Sequence, residues 1–256
     1  MEVDLNKIFN VSERYIENLS PLEQAVWWTQ HRIFGSELTI SHWTDEKVAP
    51  EFGRGDGSGY EILQQAAEYS LGARGVSVEI GVREGCGSKI MIEQFKKSEF
   101  PKLHIGIDPY GSIPYLYKDT EHVLNAYPNE MRDVAIPELY KLCAGSNVDF
   151  MFFQMTDEQF FKRFADGIPI YMNNTEYIIN EYGCVYFDGP HTTKTTLNET
   201  KFFAPRASLN AMFIYDDVEE YYDHDVIESY LLDEDGTWAQ IIRTNVKAVY
   251  HKIKVK

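Results

Sequence analysis

Cysteine is scarce in this chain: Cys86, Cys143 and Cys184 are three in 256 residues, odd in number and without a Cys-x-x-Cys pair. That excludes a disulfide framework or a zinc site and implies a reducing compartment. Cations are scarce too. Lys and Arg number 24 against 40 Asp and Glu, a net charge of −16, with acidic residues concentrated after Asp216. A surface of that sign repels phosphate backbones, so no nucleic-acid partner is expected. There is no apolar run of 18 residues, and the opening Met-Glu-Val-Asp-Leu-Asn is acidic. Neither a membrane span nor a secretory signal is expected, and the predicted compartment is the cytoplasm. The Asn-x-Ser/Thr triplets at Asn10, Asn18, Asn173 and Asn198 are then chance. Internal repeats and low-complexity segments are lacking as well.

What the sequence does have is 44% hydrophobic residues, 17 Tyr and 15 Phe, ample for one large domain or a domain with an appended arm. Its organising stretch is Val76-Ser-Val-Glu-Ile-Gly-Val-Arg-Glu-Gly-Cys-Gly-Ser88. An apolar β-branched run turns into a loop with glycines at 81, 85 and 87, then into a helix-forming segment. This reads as a buried strand, a tight turn and a helix start where a ligand can approach bare backbone. The spacing Gly-x-x-x-Gly-x-Gly fits neither a dinucleotide fingerprint nor a P-loop, because Ser88 precedes Lys89.

Around it, residues 1–60 read as a helical arm or lid. Ser20-Pro21-Leu22-Glu23 caps a helix there, and Trp27, Trp28 and Trp43 cover the main domain. Gly53 to Gly59 reads as a flexible join, and residues 61–256 as the main domain. Helices are expected over Tyr60–Leu71, Lys118–Tyr127, Asn129–Cys143, Asp157–Ala165, Glu176–Tyr182, Thr192–Phe203 and Asp225–Leu232. Strands are expected at Val76–Ile80, Leu103–Ile107, Val148–Met155, Cys184–Phe187 and Ala211–Tyr215. A terminal antiparallel pair, Trp238–Arg243 and Val246–Ile253, completes seven. Strands alternating with helices imply an α/β protein with a mostly parallel sheet covered on both faces.

In such sheets ligands sit beyond the carboxyl ends of the strands, near the point where strand order reverses. Those ends carry the glycine loop, Asp108, Thr156-Asp157, Asp188 with His191, and Asp216-Asp217. A carboxylate after the second strand is placed to accept hydrogen bonds from two ribose hydroxyls. Each acidic residue has a bland reading as a helix cap. Three carboxylates at neighbouring strand ends, however, repel one another unless a cation compensates them.

Taken in order, Glu79-Ile-Gly-Val-Arg-Glu-Gly-Cys-Gly, Gly106-Ile-Asp-Pro-Tyr, Tyr186-Phe-Asp-Gly-Pro-His and Phe213-Ile-Tyr-Asp-Asp resemble the class I S-adenosylmethionine-dependent methyltransferases. The likeness is nearest to the metal-dependent O-methyltransferases of the macrocin and mycinamicin type and, more distantly, to catechol O-methyltransferase. It covers roughly residues 70–220 and the terminal hairpin. The resemblance implies a Rossmann-like fold and S-adenosylmethionine as cofactor. It makes Glu79, Gly81, Val82, Arg83 and Gly85 the loop around the cofactor's methionine half. Asp108 and Pro109 would lie at the ribose and Thr156 and Asp157 near the adenine, and Asp188 would also touch the cofactor. Gly87 stands where many relatives carry Ser, with Ser88 one place on as the substitute. Asp188, Asp216 and Asp217 match the family's ligands for a magnesium or other divalent cation. His191, three residues beyond Asp188, matches its general base, with His224 as competitor.

The resemblance thus implies a magnesium-dependent O-methyltransferase acting on a sugar or other small-molecule acceptor. Tyr221 and Tyr222 either shape the acceptor pocket or are exposed loop tyrosines, and residues 1–60 and 167–182 would supply specificity. Two rivals stand beside it: a metal-independent methyltransferase acting on nitrogen or a phenol, and a non-catalytic cofactor-binding protein of the same fold. The oligomeric state is left open, a homo-oligomer included.

Overall fold

The computed structural model describes residues 49–255, apart from 56, 112, 113, 119, 120, 125, 126, 173 and 220. The helix start at Ser20-Pro21 and the three tryptophans Trp27, Trp28 and Trp43 lie outside the described residues. From Tyr60 on, the chain alternates as predicted. Helix α1 (Tyr60–Tyr69) leads into β1 (Val76–Ile80), α2 (Cys86–Phe95) and β2 (Lys102–Ile107). After a short hairpin, β3 (Pro114–Lys118) and β4 (Glu121–Leu124), come α3 (Asn129–Cys143), β5 (Val148–Phe153) and α4 (Asp157–Arg163). A second hairpin, β6 (Ile168–Met172) and β7 (Thr175–Ile179), precedes β8 (Tyr182–Phe187), α5 (Thr193–Phe203) and β9 (Ala207–Tyr215). Helix α6 (His224–Ser229) continues into wider π-type turns over Tyr230–Asp235 and stops at Gly236, which takes a left-handed φ of 67°. Strands β10 (Trp238–Arg243) and β11 (Ala248–Lys252) close the sequence.

Seven strands form one sheet in the order β10-β11-β9-β8-β1-β2-β5. Strands β9, β8, β1, β2 and β5 run parallel, and β11 lies antiparallel between β9 and β10. Connections leave β1 in one direction and return at β8 in the other, so strand order reverses between β1 and β8. Every residue of β1 and β8 is buried, as a central strand covered on both faces requires. Val78, Ile80, Val185, Phe187, Phe213 and Tyr215 pack with Phe160, Phe203 and Ile227 of α4, α5 and α6. Cys184, Tyr186, Met212 and Ile214 pack on the other side with Leu63, Met91, Ile92 and Leu139 of α1, α2 and α3. Aromatics do much of this filling: the Phe187 and Tyr215 rings stack 4.3 Å apart and Phe161 stacks on Phe202 at the same separation.

Two predicted helices are hairpin strands instead. The first, Lys118–Tyr127, is crossed by β3 and β4, which pair antiparallel, with Pro114 at a strand's first residue where a missing N–H is tolerated. The second, Glu176–Tyr182, is mostly β7, paired with β6 from Ile168↔Ile179 to Met172↔Thr175. Asn174, at a φ of 61°, makes the turn between them, and the sequence Tyr177-Ile-Ile favours strand over helix. No helix among the described residues is long and apolar enough to cross a membrane.

Candidate active site

Register alone assembles the site. Ile80 pairs with Ile107 on one side and Phe187 on the other, and Phe187 pairs with Tyr215. The residues that follow, Gly81, Asp108, Asp188 and Asp216, therefore stand in a row along the carboxyl edge where the strand order reverses. At its centre Gly81 N donates to Ile107 O at 2.9 Å, and Asp188 N donates to Ile80 O at 3.0 Å. Gly81 has a φ of 87°, and a Cβ there would lie 1.9 Å from the carbonyl oxygen of Asp188. Only glycine fits both the dihedral and the close approach.

The glycine loop is held by Asp108. Its Oδ2 accepts from Arg83 N and its Oδ1 from Tyr110 N, both at 2.9 Å, while Tyr110 Oη donates to Arg83 O at 2.5 Å. Arg83 and Tyr110 take φ values of 48° and 45°, an uncommon conformation for non-glycine residues. Burial pushes the Asp108 carboxyl up to about 6 against the lowering effect of those N–H groups. Pro109 O accepts from Gln154 Nε2 at 3.2 Å.

Glu79 points beneath the loop. Its carboxylate accepts from Ser88 Oγ; that oxygen lies 2.9 Å from His104 Nε2, and His104 Nδ1 lies 2.9 Å from Ser77 Oγ. Burial is the main cause of two shifts here, raising Glu79 to about 8 and lowering His104 to about 3. Ser88 is fully buried, with its hydroxyl committed to Glu79 and His104, so it supports the loop from below rather than meeting a ligand. Gly87 is glycine because a Cβ there would fall 1.9 Å from Glu79 Oε1. Val82 is buried too, its side chain against Gly106, which leaves its backbone as the part a ligand could use.

Thr156 caps α4, accepting from Gln159 N while Gln159 Oε1 accepts from Thr156 N. Asp157 beside it is buried, with Oδ2 lacking a hydrogen-bond partner among the described residues. Burial raises its carboxyl to about 6, and a hydrogen bond with Glu199 opposes that rise.

On the β8–β9 side the structure divides the predicted acidic cluster. His191 Nε2 lies 3.7 Å from Asp188 Oδ1 and 3.5 Å from Asp217 Oδ2. Its ring faces Tyr221 and Tyr222 at centroid distances of 5.5 and 6.3 Å. Asp216 turns elsewhere. Its Oδ1 accepts from Lys247 Nζ at 2.5 Å and Asp217 N at 3.0 Å, and its Oδ2 accepts from Tyr186 Oη at 2.6 Å. Lys247 is fully buried, lies 3.0 Å from Tyr186 Oη, and sits over the ring of Tyr60. A lysine therefore already compensates Asp216, one member of the expected three-carboxylate cation site. No group of three His, Cys, Asp or Glu placed to hold a metal ion occurs among the described residues.

His224, the competing base, belongs to the core. It is buried, its Nε2 lies 2.9 Å from Tyr250 Oη, and desolvation lowers it to about 3. Tyr222 is also a packing residue that donates to Asp216 O at 3.1 Å.

Lys247, buried against Asp216, is the member of this cluster that sequence reasoning missed. Its signal lies in register: Ala248 of β11 pairs with Tyr215 of β9, so the residue before Ala248 stands beside the residue after Tyr215.

No protein-family model matches the chain, and no curated protein matches it in sequence. Among solved structures it is similar to CalS11, a calicheamicin methyltransferase, with a TM-score of 0.52 and 15% identity over 98% of this chain and 97% of that one. It is also similar to the O-methyltransferase NovP, with a TM-score of 0.50 and 18% identity over 76% of this chain and 79% of that one. The chain has the class I α/β methyltransferase fold.

Proposed function

We propose that the chain is an S-adenosylmethionine-dependent O-methyltransferase acting on a hydroxyl of a small-molecule acceptor, with a sugar or glycosylated natural product the first class to test. The observation that carries this reading is the row Gly81–Asp108–Asp188, with His191 at its acceptor end between two carboxylates. The fold shared with CalS11 and NovP supports it.

The residues at the β1–β2 side fit the cofactor. Gly81 leaves the backbone bare, and Asp108 is a buried carboxylate at the position for a ribose diol. When bound, S-adenosylmethionine supplies an electrophilic methyl group on a sulfonium. The chain supplies the rest. His191 takes the acceptor's proton at a ring nitrogen, and Asp188 and Asp217 stabilise the imidazolium that forms. Tyr221 and the glycine loop fix the approach of the acceptor oxygen, and alignment is the main catalytic contribution.

No step is routed through magnesium, because Asp216 is engaged by Lys247 and Tyr186. The same observation favours the metal-independent reading, on oxygen, a phenol or nitrogen, over the magnesium-dependent one. Formation of S-adenosylhomocysteine with a panel of sugars, phenols and amines, with and without EDTA, tests both. Turnover on hydroxyl acceptors that is lost in His191→Ala supports the proposal. Turnover that His191→Ala leaves intact sinks the role of the base, and activity that vanishes with EDTA and returns with magnesium sinks the metal-independent form.

A further inference from the structure

Residues 51–54, of which Gly53 and Arg54 were expected to open a flexible join, lie strapped across the glycine loop. Gly53 N donates to Glu84 O at 2.8 Å and Glu51 N to Glu84 Oε1 at 3.0 Å. Arg54 grips the same carboxylate with two nitrogens, Nε to Oε2 at 2.8 Å and Nη2 to Oε1 at 2.5 Å. The Phe52 ring covers Gly85, where a Cβ would lie 3.2 Å away, and carries the Lys89 ammonium 5.3 Å from its centroid. Glu84 is 1% exposed, in the loop between the two left-handed residues Arg83 and Gly85. A buried carboxylate at that point draws the loop toward water unless a partner satisfies it, and a bidentate guanidinium is the strongest side-chain partner available.

We infer that Arg54 is a positioning residue for the cofactor. Through Glu84 it fixes the backbone from Gly81 to Gly85 in the conformation that receives the methionine half of S-adenosylmethionine. Residues 51–54 then belong to the cofactor site, although they precede the first strand by more than 20 residues. This rests on the cofactor reading above. The fork geometry matters as well as the charge, so lysine cannot replace it fully.

The test is calorimetric titration of the full chain with S-adenosylhomocysteine, beside thermal unfolding of each variant without ligand. Arg54→Gln is expected to bind about tenfold or more weakly, as loss of a charge-assisted bond implies. Arg54→Lys is expected to fall between the two. In turnover, the KM for the methyl donor should rise while kcat changes little. Glu84→Gln combined with Arg54→Gln should bind no worse than the weaker single variant, because the two act through one contact. Binding by Arg54→Gln equal to wild type overturns the inference. So does weakened binding that tracks a lowered unfolding temperature in Arg54→Gln and Arg54→Lys alike. Failure of the wild-type chain to bind S-adenosylhomocysteine would overturn the cofactor reading itself, and this inference with it.

Discussion

On the β1–β2 side of the crevice, Gly81, Arg83 and Tyr110 take left-handed backbone and Asp108 accepts two loop N–H groups. On the β8–β9 side one residue, Asp217, takes a φ of 52°; there Lys247 matches Asp216, and His191 stands between Asp188 and Asp217. The first side is shaped by dihedrals and close approach, the second by pairing of charges. A surface of the first kind suits a constant ligand, since it recognises by shape. One of the second kind suits chemistry, since it can accept and stabilise a proton.

The difference can be broken at His191. His191→Ala should lower methyl transfer by about 10²- to 10⁴-fold, the usual worth of a general base, while leaving S-adenosylhomocysteine affinity unchanged. Single-turnover kinetics beside ligand titration would show whether the two sides separate in this way.

Lys247→Met leaves Asp216 buried without its cation and should destabilise the fold by about 3–5 kcal/mol. Lys247→Met with Asp216→Asn should recover much of that loss, because both charges are then gone. Denaturant unfolding of the two singles and the double measures the coupling.

Gly81→Ala tests the other side. A Cβ 1.9 Å from Asp188 O, at a φ of 87°, must push two strand ends apart. The expected loss is about 2 kcal/mol or more of stability, with cofactor binding falling alongside. An equally stable alanine variant would show that the close approach is not required.

Glu79 gives a pH signature. Its pKa is raised to about 8 by burial, so the folded chain holds a proton that the unfolded chain has released. Stability from this group is complete below about 4.5 and is lost as pH rises through about 8. Over that window the slope is negative, on the order of 1 kcal/mol per pH unit. Glu79→Gln should flatten it, as chemical denaturation at several pH values would reveal.

The parallel sheet was legible because strands such as Cys184 to Phe187 and Ala211 to Tyr215 are continuous apolar runs, separated by helices with clear punctuation, such as the Thr156 cap. The two hairpins were not. Lys118–Tyr127 and Glu176–Tyr182 carry polar residues on both sides of short strands, and pairing rather than local pattern decides such segments. The row Gly81, Asp108, Asp188, Asp216 could be read from strand ends, since each follows an apolar run directly. What each carboxylate does there could not. Asp216 and Asp217 are neighbours in sequence, yet one faces a buried lysine and the other a histidine, and the lysine comes from the turn before β11, 31 residues on. Ser88 is turned by helical geometry under the loop to Glu79, a contact that the family resemblance, which set it beside the cofactor, did not show. The clamp of Arg54 on Glu84 joins segments 30 residues apart and left no local trace.

A crystal structure of the chain with S-adenosylhomocysteine would test the central claim most directly. It is expected to show the ribose diol on Asp108, the methionine half over Gly81 to Gly85, and the sulfur facing His191. A ligand bound elsewhere, or one whose sulfur lies away from His191, would contradict it.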